Sequence, residues 1–142
     1  MNNPYEILNA SQNFVVVGIN NKPETYANRI YKLLEQKNKT VIGVNPNYTE
    51  IDGKTIYPSF LEITDAVDVA VMVVNPKIGL NMLESIKEKG INVLWLQPGT
   101  VNDALRAKAQ ELELNVIEAC VLAEYAQNEN KHIKNGTPPN IG

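Results

Sequence analysis

Cysteine and histidine are almost missing from this 142-residue chain, which has one of each, Cys120 and His132. A single cysteine excludes an intrachain disulfide and leaves a zinc cluster without ligands. A single histidine, set in a polar stretch, gives Ser–His relays, Cys–His dyads and His-rich metal sites little to work with, so neither a metal centre nor a catalytic constellation is expected. Basic charge is not in excess either. Thirteen Lys and Arg face sixteen Asp and Glu, for a net charge of -3 and a pI near 5.2. That balance argues against nucleic acid as a partner, which calls for a basic face. No apolar run approaches the ~20 residues of a membrane span; the longest, VDVAVMVV at 67–74, is interrupted by Asp68. The opening MNNPYEILNASQN lacks the basic-then-apolar order of a secretory signal. A cytoplasmic protein without membrane contact is expected.

Present instead are five short apolar runs: FVVVGI (14–19), TVIGV (40–44), VDVAVMVV (67–74), INVLWL (91–96) and LNVIEA (114–119). They are β-branched and nearly continuous rather than alternating, as in strands covered on both faces of a parallel sheet. Helical stripes separate them: Tyr26, Ile30, Leu33 and Leu34; then Gly79, Met82, Leu83 and Ile86; then Val101, Ala104, Leu105, Ala109 and Leu112. Asn3 and Pro4 open a short helix before the first run. YPSFLEI (57–63) reads as another, with Ser59 near its start. Gly90 is placed to stop the second stripe, and Thr100 to cap the third. The alternation, at about 25-residue spacing, predicts right-handed βαβ crossovers. The expected fold is α/β, a Rossmann-like doubly wound five-stranded parallel sheet of order 3-2-1-4-5. It forms a single domain over residues 1–127, followed by a flexible tail from 128 to 142.

In such sheets ligands bind beyond the carboxyl ends of the strands, at the switch in strand order. The first strand is followed by GINNKP, the second by NPNY, the third by NPKI and the fourth by QPGT. Each proline stops a strand and stiffens the rim, and each amide before it offers uncharged hydrogen bonding. In the first turn Gly18 allows close backbone approach, and Pro23 suits the start of the next helix. Free N–H groups there, with Lys22, Asn20 and Asn21, favour an anion such as a pyrophosphate. The alternative is that NNKP is a plain polar loop with a solvated lysine. A nicotinamide cofactor would call for G-x-G-x-x-G in this turn and an acid after the second strand. Only Gly18 is present, and the second strand ends in VNPN without an acid. No P-loop occurs.

VVVGINNKP, VIGVNPNYTEIDGKTIYPSFLEI, VDVAVMVVNP, GINVLWLQPGT and LNVIEACVLAE, taken together and in order over residues 13 to 124, resemble the CoA-binding domain family. This is the Rossmann-like module that opens the alpha subunit of succinyl-CoA synthetase and the ADP-forming acyl-CoA synthetases, and it also occurs as stand-alone proteins. The resemblance implies coenzyme A as the ligand, whose ribose 3′-phosphate an acid after the second strand would repel. It implies that Gly18, Ile19, Asn20, Asn21, Lys22 and Pro23 lie against the pyrophosphate. Asn45, Pro46 and Tyr48 would approach the adenosine and its phosphate. Val74, Asn75, Pro76 and Ile78 would form the opposite wall, and Gln97, Pro98 and Gly99 would line the exit towards the pantetheine arm. Where the family commonly has Ala-Ser after the glycine, this chain has Ile19 and Asn20; where many stand-alone relatives read Arg-Cys-Pro, it has Ala119, Cys120 and Val121.

The expected function is binding of coenzyme A or an acyl-CoA, with no catalysis by this chain alone. The alternatives are a nucleotide-dependent acyl-CoA ligase subunit completed by a partner chain, and an NAD-type dinucleotide binder. A homodimer is left open. Cys120 reads either as a small buried hydrophobe or as a thiol near that of the ligand. Glu118 and Glu124 read as surface or capping residues rather than an acid pair, Arg29 as a phosphate or salt-bridge partner, and Trp95 as core.

Overall fold

The computed structural model describes residues 3–134. In chain order it comprises α1 (Pro4–Ala10), β1 (Asn13–Val17), α2 (Tyr26–Gln36), β2 (Thr40–Val44), β3 (Glu50–Ile51) and β4 (Lys54–Tyr57). It continues through β5 (Val69–Met72), α3 (Pro76–Leu80), α4 (Leu83–Lys89), β6 (Val93–Leu96), α5 (Asp103–Glu111), β7 (Asn115–Glu118) and α6 (Val121–Lys134). The α/β class and the Rossmann-like winding are as expected; the sheet is larger. Its seven strands run β3-β4-β2-β1-β5-β6-β7, parallel except for the β3–β4 hairpin. The hairpin turns through Asp52 and Gly53, both at positive φ (52° and 79°), the two-residue geometry that Asp-Gly favours. The expected order of the five predicted strands is corrected by this hairpin. Lys54–Tyr57 takes the third place, so those five stand in the order second, first, third, fourth, fifth. The chain winds outward from β1 to β4 and then returns to β5 on the other side of β1, making β1/β5 the switch point.

Both faces of the sheet are covered, which is why the strands read as nearly continuous apolar runs. Phe14, Val16, Val69, Val71, Val93, Trp95 and Ile117 face Leu8, Ile30, Tyr31, Leu34, Val121 and Tyr125 of α1, α2 and α6. Val15, Val17, Ala70, Met72, Leu94 and Leu96 face Leu83, Ile86, Leu105 and Ala109 of α4 and α5. At α1, Asn3 and Glu6 form a reciprocal capping box ahead of Pro4, and Gly90 closes α4 at φ 81° as expected. Two local readings are corrected. Asn102, not Thr100, caps α5, its Oδ1 accepting from Leu105 N at 2.9 Å. Thr100 instead is buried and its hydroxyl donates to Gln97 O. The 57–63 helix reduces to one 3-10 turn at Phe60–Glu62. Helix α6 runs over Val121–Lys134; residues 135–142 of the expected tail lie outside the described residues.

Burial has one pH consequence. Desolvation pushes the phenols of Tyr31 and Tyr125 up to about 12, with Glu35 adding to the first and Tyr5 and Glu129 to the second. An unfolded tyrosine ionises near 10. Their contribution is therefore complete below pH 10 and is lost as pH rises from 10 through 12. A spectrophotometric titration is expected to show two of the six tyrosines ionising last, with the melting temperature falling over that same window.

Candidate functional site

At the switch point the carboxyl end of β1 turns sharply at Gly18, where φ is 108°. A Cβ here would lie 2.6 Å from Val73 O and 3.2 Å from a Val74 methyl. Only glycine permits this approach of the β1 turn to the end of β5. The turn is held on its other side by Gly18 N donating to Val44 O at 3.0 Å.

The loop that follows is tied by asparagines. Asn20 Oδ1 accepts from Lys22 N at 2.8 Å, a local Asx turn. Its Nδ2 donates to Gly18 O at 3.0 Å. Asn28, one turn into α2, reaches back over the loop. Its Oδ1 accepts from Asn20 N at 3.0 Å, and its Nδ2 donates to Asn20 O at 2.6 Å and to Lys22 O at 3.0 Å. Asn28 is missing from the residues expected on sequence; its only signal there is an amide at helical spacing from a loop that needs closing. Helix α2 starts at Tyr26, three residues beyond Pro23, where the helix start was expected. Its N-cap, Thr25, makes no side-chain cap bond; the hydroxyl turns to the loop instead, donating to Lys22 O at 3.0 Å and accepting from Asn20 Nδ2 at 3.3 Å. The first-turn N–H groups are thus left without a cap, beside an exposed Lys22 that forms no ion pair among the described residues. Uncapped donors, the helix dipole and a cation make this an anion-favouring corner. Glu24, the loop's only acid, is exposed and screened by solvent.

The loop after β2 is fastened to the first. Asn45 Nδ2 donates to Ile19 O at 2.8 Å while its Oδ1 accepts from Asn47 N. Tyr48 donates its hydroxyl to Asn21 Oδ1 at 3.3 Å. Asn45, Tyr48, Ile19 and Asn21 are therefore brought together. Ile19 itself is buried in the core, against Ile56 and Gly43, so only its backbone faces the loop. Pro46 stays exposed on the rim. Across the switch, Asn75 caps α3 by accepting from Ile78 N at 3.0 Å, with Pro76 in the first helical position. Val74 lies against Gly18 and Ile78 is exposed.

Two cavities flank the β1–α2 loop. One, of about 100 Å³, lies towards the hairpin and is lined by Ile19, Pro23, Asn28, Tyr31, Lys32 and Lys54 among others. The second, of about 140 Å³, lies at the ends of β5, β6 and β7 and is lined by Tyr26, Val73, Gln97, Pro98 and Cys120. Gln97 and Pro98 line this cavity, whereas Gly99 stands exposed with open space beside it. Cys120 is half-buried in that cavity wall rather than lost in the core. Glu118 is engaged elsewhere: Arg106 holds it through two hydrogen bonds of 2.8 and 3.0 Å, which keeps its carboxyl below the usual range. Arg29 stacks over the Tyr26 ring, 5.2 Å from its centroid. Among the described residues no group of three or more His, Cys, Asp or Glu side chains can hold a metal ion, and no helix is long and apolar enough to cross a membrane.

Residues 12–126, almost the whole α/β unit, match the CoA binding domain family. The chain belongs to that family. Among solved structures, a hypothetical protein from Pyrococcus horikoshii OT3 superimposes with a TM-score of 0.80 at 35% identity, covering 86% of this chain and 87% of that one. YneT of Bacillus subtilis (strain 168) is 26% identical over 122 residues, 85% of this chain and 90% of YneT. The likeness extends to part of a larger enzyme. The ADP-forming acetate–CoA ligase I of Archaeoglobus fulgidus is 37% identical over 76 residues, 54% of this chain but only 11% of the ligase.

Proposed function

We propose that the chain binds coenzyme A or an acyl-CoA across the β1/β5 switch point, without catalysis of its own. The uncapped N-terminus of α2 and Lys22 receive the phosphates. The tied loops after β1 and β2, carrying Asn21, Asn45, Pro46 and Tyr48, receive the adenosine side. Val74, Asn75, Pro76 and Ile78 supply the opposite wall, and Gln97, Pro98 and Gly99 the exit of the pantetheine arm. The observation that carries this reading is the family match over residues 12–126, together with a β2 end that has no acid where a nicotinamide site needs one. A cytoplasmic carrier or sensor of CoA species follows from it. Thermal shift tests it. CoA at a hundredfold excess over its Kd is expected to stabilise the protein by about 2.7 kcal/mol, while NAD gives no shift. No shift with millimolar CoA, alongside a shift with NAD, overturns the reading.

A second reading is supported by the likeness to part of the acetate–CoA ligase: the chain serves as one piece of a ligase completed by a partner chain. Co-purification with a nucleotide-binding partner, and ADP-forming ligase activity only in its presence, distinguishes this from a free-standing binder.

A further inference from the structure

We propose that the cavity at the ends of β5, β6 and β7 holds the carbonyl of a short acyl thioester, with the Gln97 side-chain amide as its hydrogen-bond donor. This rests on the reading of the chain as a binder of CoA species and narrows it to the acylated form.

Gln97 follows β6 directly and is only 3% exposed. Its Oε1 accepts from Val121 N at 2.8 Å and, more weakly at 3.1 Å, from the one Trp95 Nε1–H, which is shared with Ala119 O at 2.8 Å. Both donors belong to fully buried residues. They fix which end of the amide is oxygen, and so fix the direction of Nε2. Among the described residues Nε2 donates to no protein acceptor, and the side chain lines the 140 Å³ cavity with Tyr26, Val73, Pro98 and Cys120. The residue is buried while its Nε2 opens onto the cavity, so a donor held in one orientation faces that space without a protein partner and is free for an acceptor from outside.

The lining says which acceptor. No charged side chain contributes to the wall, so a phosphate or carboxylate has no counter-charge there, whereas a neutral carbonyl needs only the one donor. Tyr26, Val73 and Pro98 give apolar contact to the rest of the group. The volume suits a short acyl end, not a long chain. Tyr26 is also the first residue of α2, so the cavity adjoins the anion-favouring corner, and one ligand with phosphates at one end and a carbonyl at the other spans both.

The test compares acetyl-CoA with S-ethyl-CoA, a thioether of nearly the same shape without the carbonyl, by calorimetric titration. The wild type is expected to prefer acetyl-CoA about tenfold, the scale of one neutral hydrogen bond in a dry site. Gln97→Glu keeps an acceptor for Trp95 and Val121 but presents oxygen to the ligand; Gln97→Met removes both functions. Each is expected to abolish the preference, with melting curves reporting that the fold is kept. A wild type without preference overturns the proposal, as do variants that weaken both ligands equally, and in both cases CoA binding itself stands. If the wild type binds neither compound nor CoA, the underlying reading falls and this one with it.

Discussion

Gly18→Ala is expected to lower the melting temperature by about 10 °C and to abolish CoA binding at concentrations that saturate the wild type. Two costs combine. A side chain at φ 108° is strained by roughly 1–3 kcal/mol. The added methyl also meets Val73 O at 2.6 Å, a backbone atom that is itself fixed, because Val73 N donates to Val17 O at 3.0 Å. The turn cannot retreat the other way without breaking the Gly18 N to Val44 O bond. A total of about 3 kcal/mol at roughly 3–4 °C per kcal/mol gives the expected shift for a chain of this size. Gly53→Ala separates the two costs. Gly53 has φ 79° but nothing within 4 Å of where its methyl would stand, so it carries only the left-handed strain of about 1–2 kcal/mol and no loss of affinity. Equal melting temperatures for the two variants would show that the close approach at Gly18 is not a constraint.

How far the fold is legible in the sequence depends on the size of the signal each residue carries. The five main strands are legible because burial of the central ones on both faces leaves nearly continuous runs of Val, Ile and Leu. The hairpin is not, since β3 and β4 together bury only Ile56 fully; the readable cue is the turn, Asp52-Gly53. Without it the strand order is displaced, although the winding rule still locates a switch point at β1. The same division runs through the site. Strand ends locate the loops correctly, but sequence alone presents the amides in them as free for a ligand. Asn20, Asn45 and Asn75 each accept a backbone N–H two or three residues on, the local bonding that makes asparagine a turn former. Sequence spacing shows where such an amide sits, and not which way its oxygen is already committed. Asn28 escapes notice for the converse reason: its contacts lie in the preceding loop, not on its own helix.

Asn28 therefore supplies the sharper test of the phosphate corner. Asn28→Asp retains an acceptor for Asn20 N but puts a carboxylate oxygen against Asn20 O and Lys22 O, which the native amide joins by donation. Loss of two donated bonds and carbonyl–carboxylate repulsion are expected to cost about 2–4 kcal/mol in urea unfolding. CoA affinity is expected to fall by a further factor of about five to thirty, because a negative charge within several ångströms of a phosphate at a protein surface opposes binding by about 1–2 kcal/mol. Asn28→Ala loses all three bonds without adding charge, and should bind more tightly than the aspartate variant even if it is no more stable. The gap between the two is expected to narrow as ionic strength rises from about 0.05 to about 0.5 M, since the Debye length shrinks below the separation involved. Equal losses that do not respond to salt would mean that Asn28 acts only by shaping the loop. No loss in either variant would place the phosphates away from α2, and the proposed site with them.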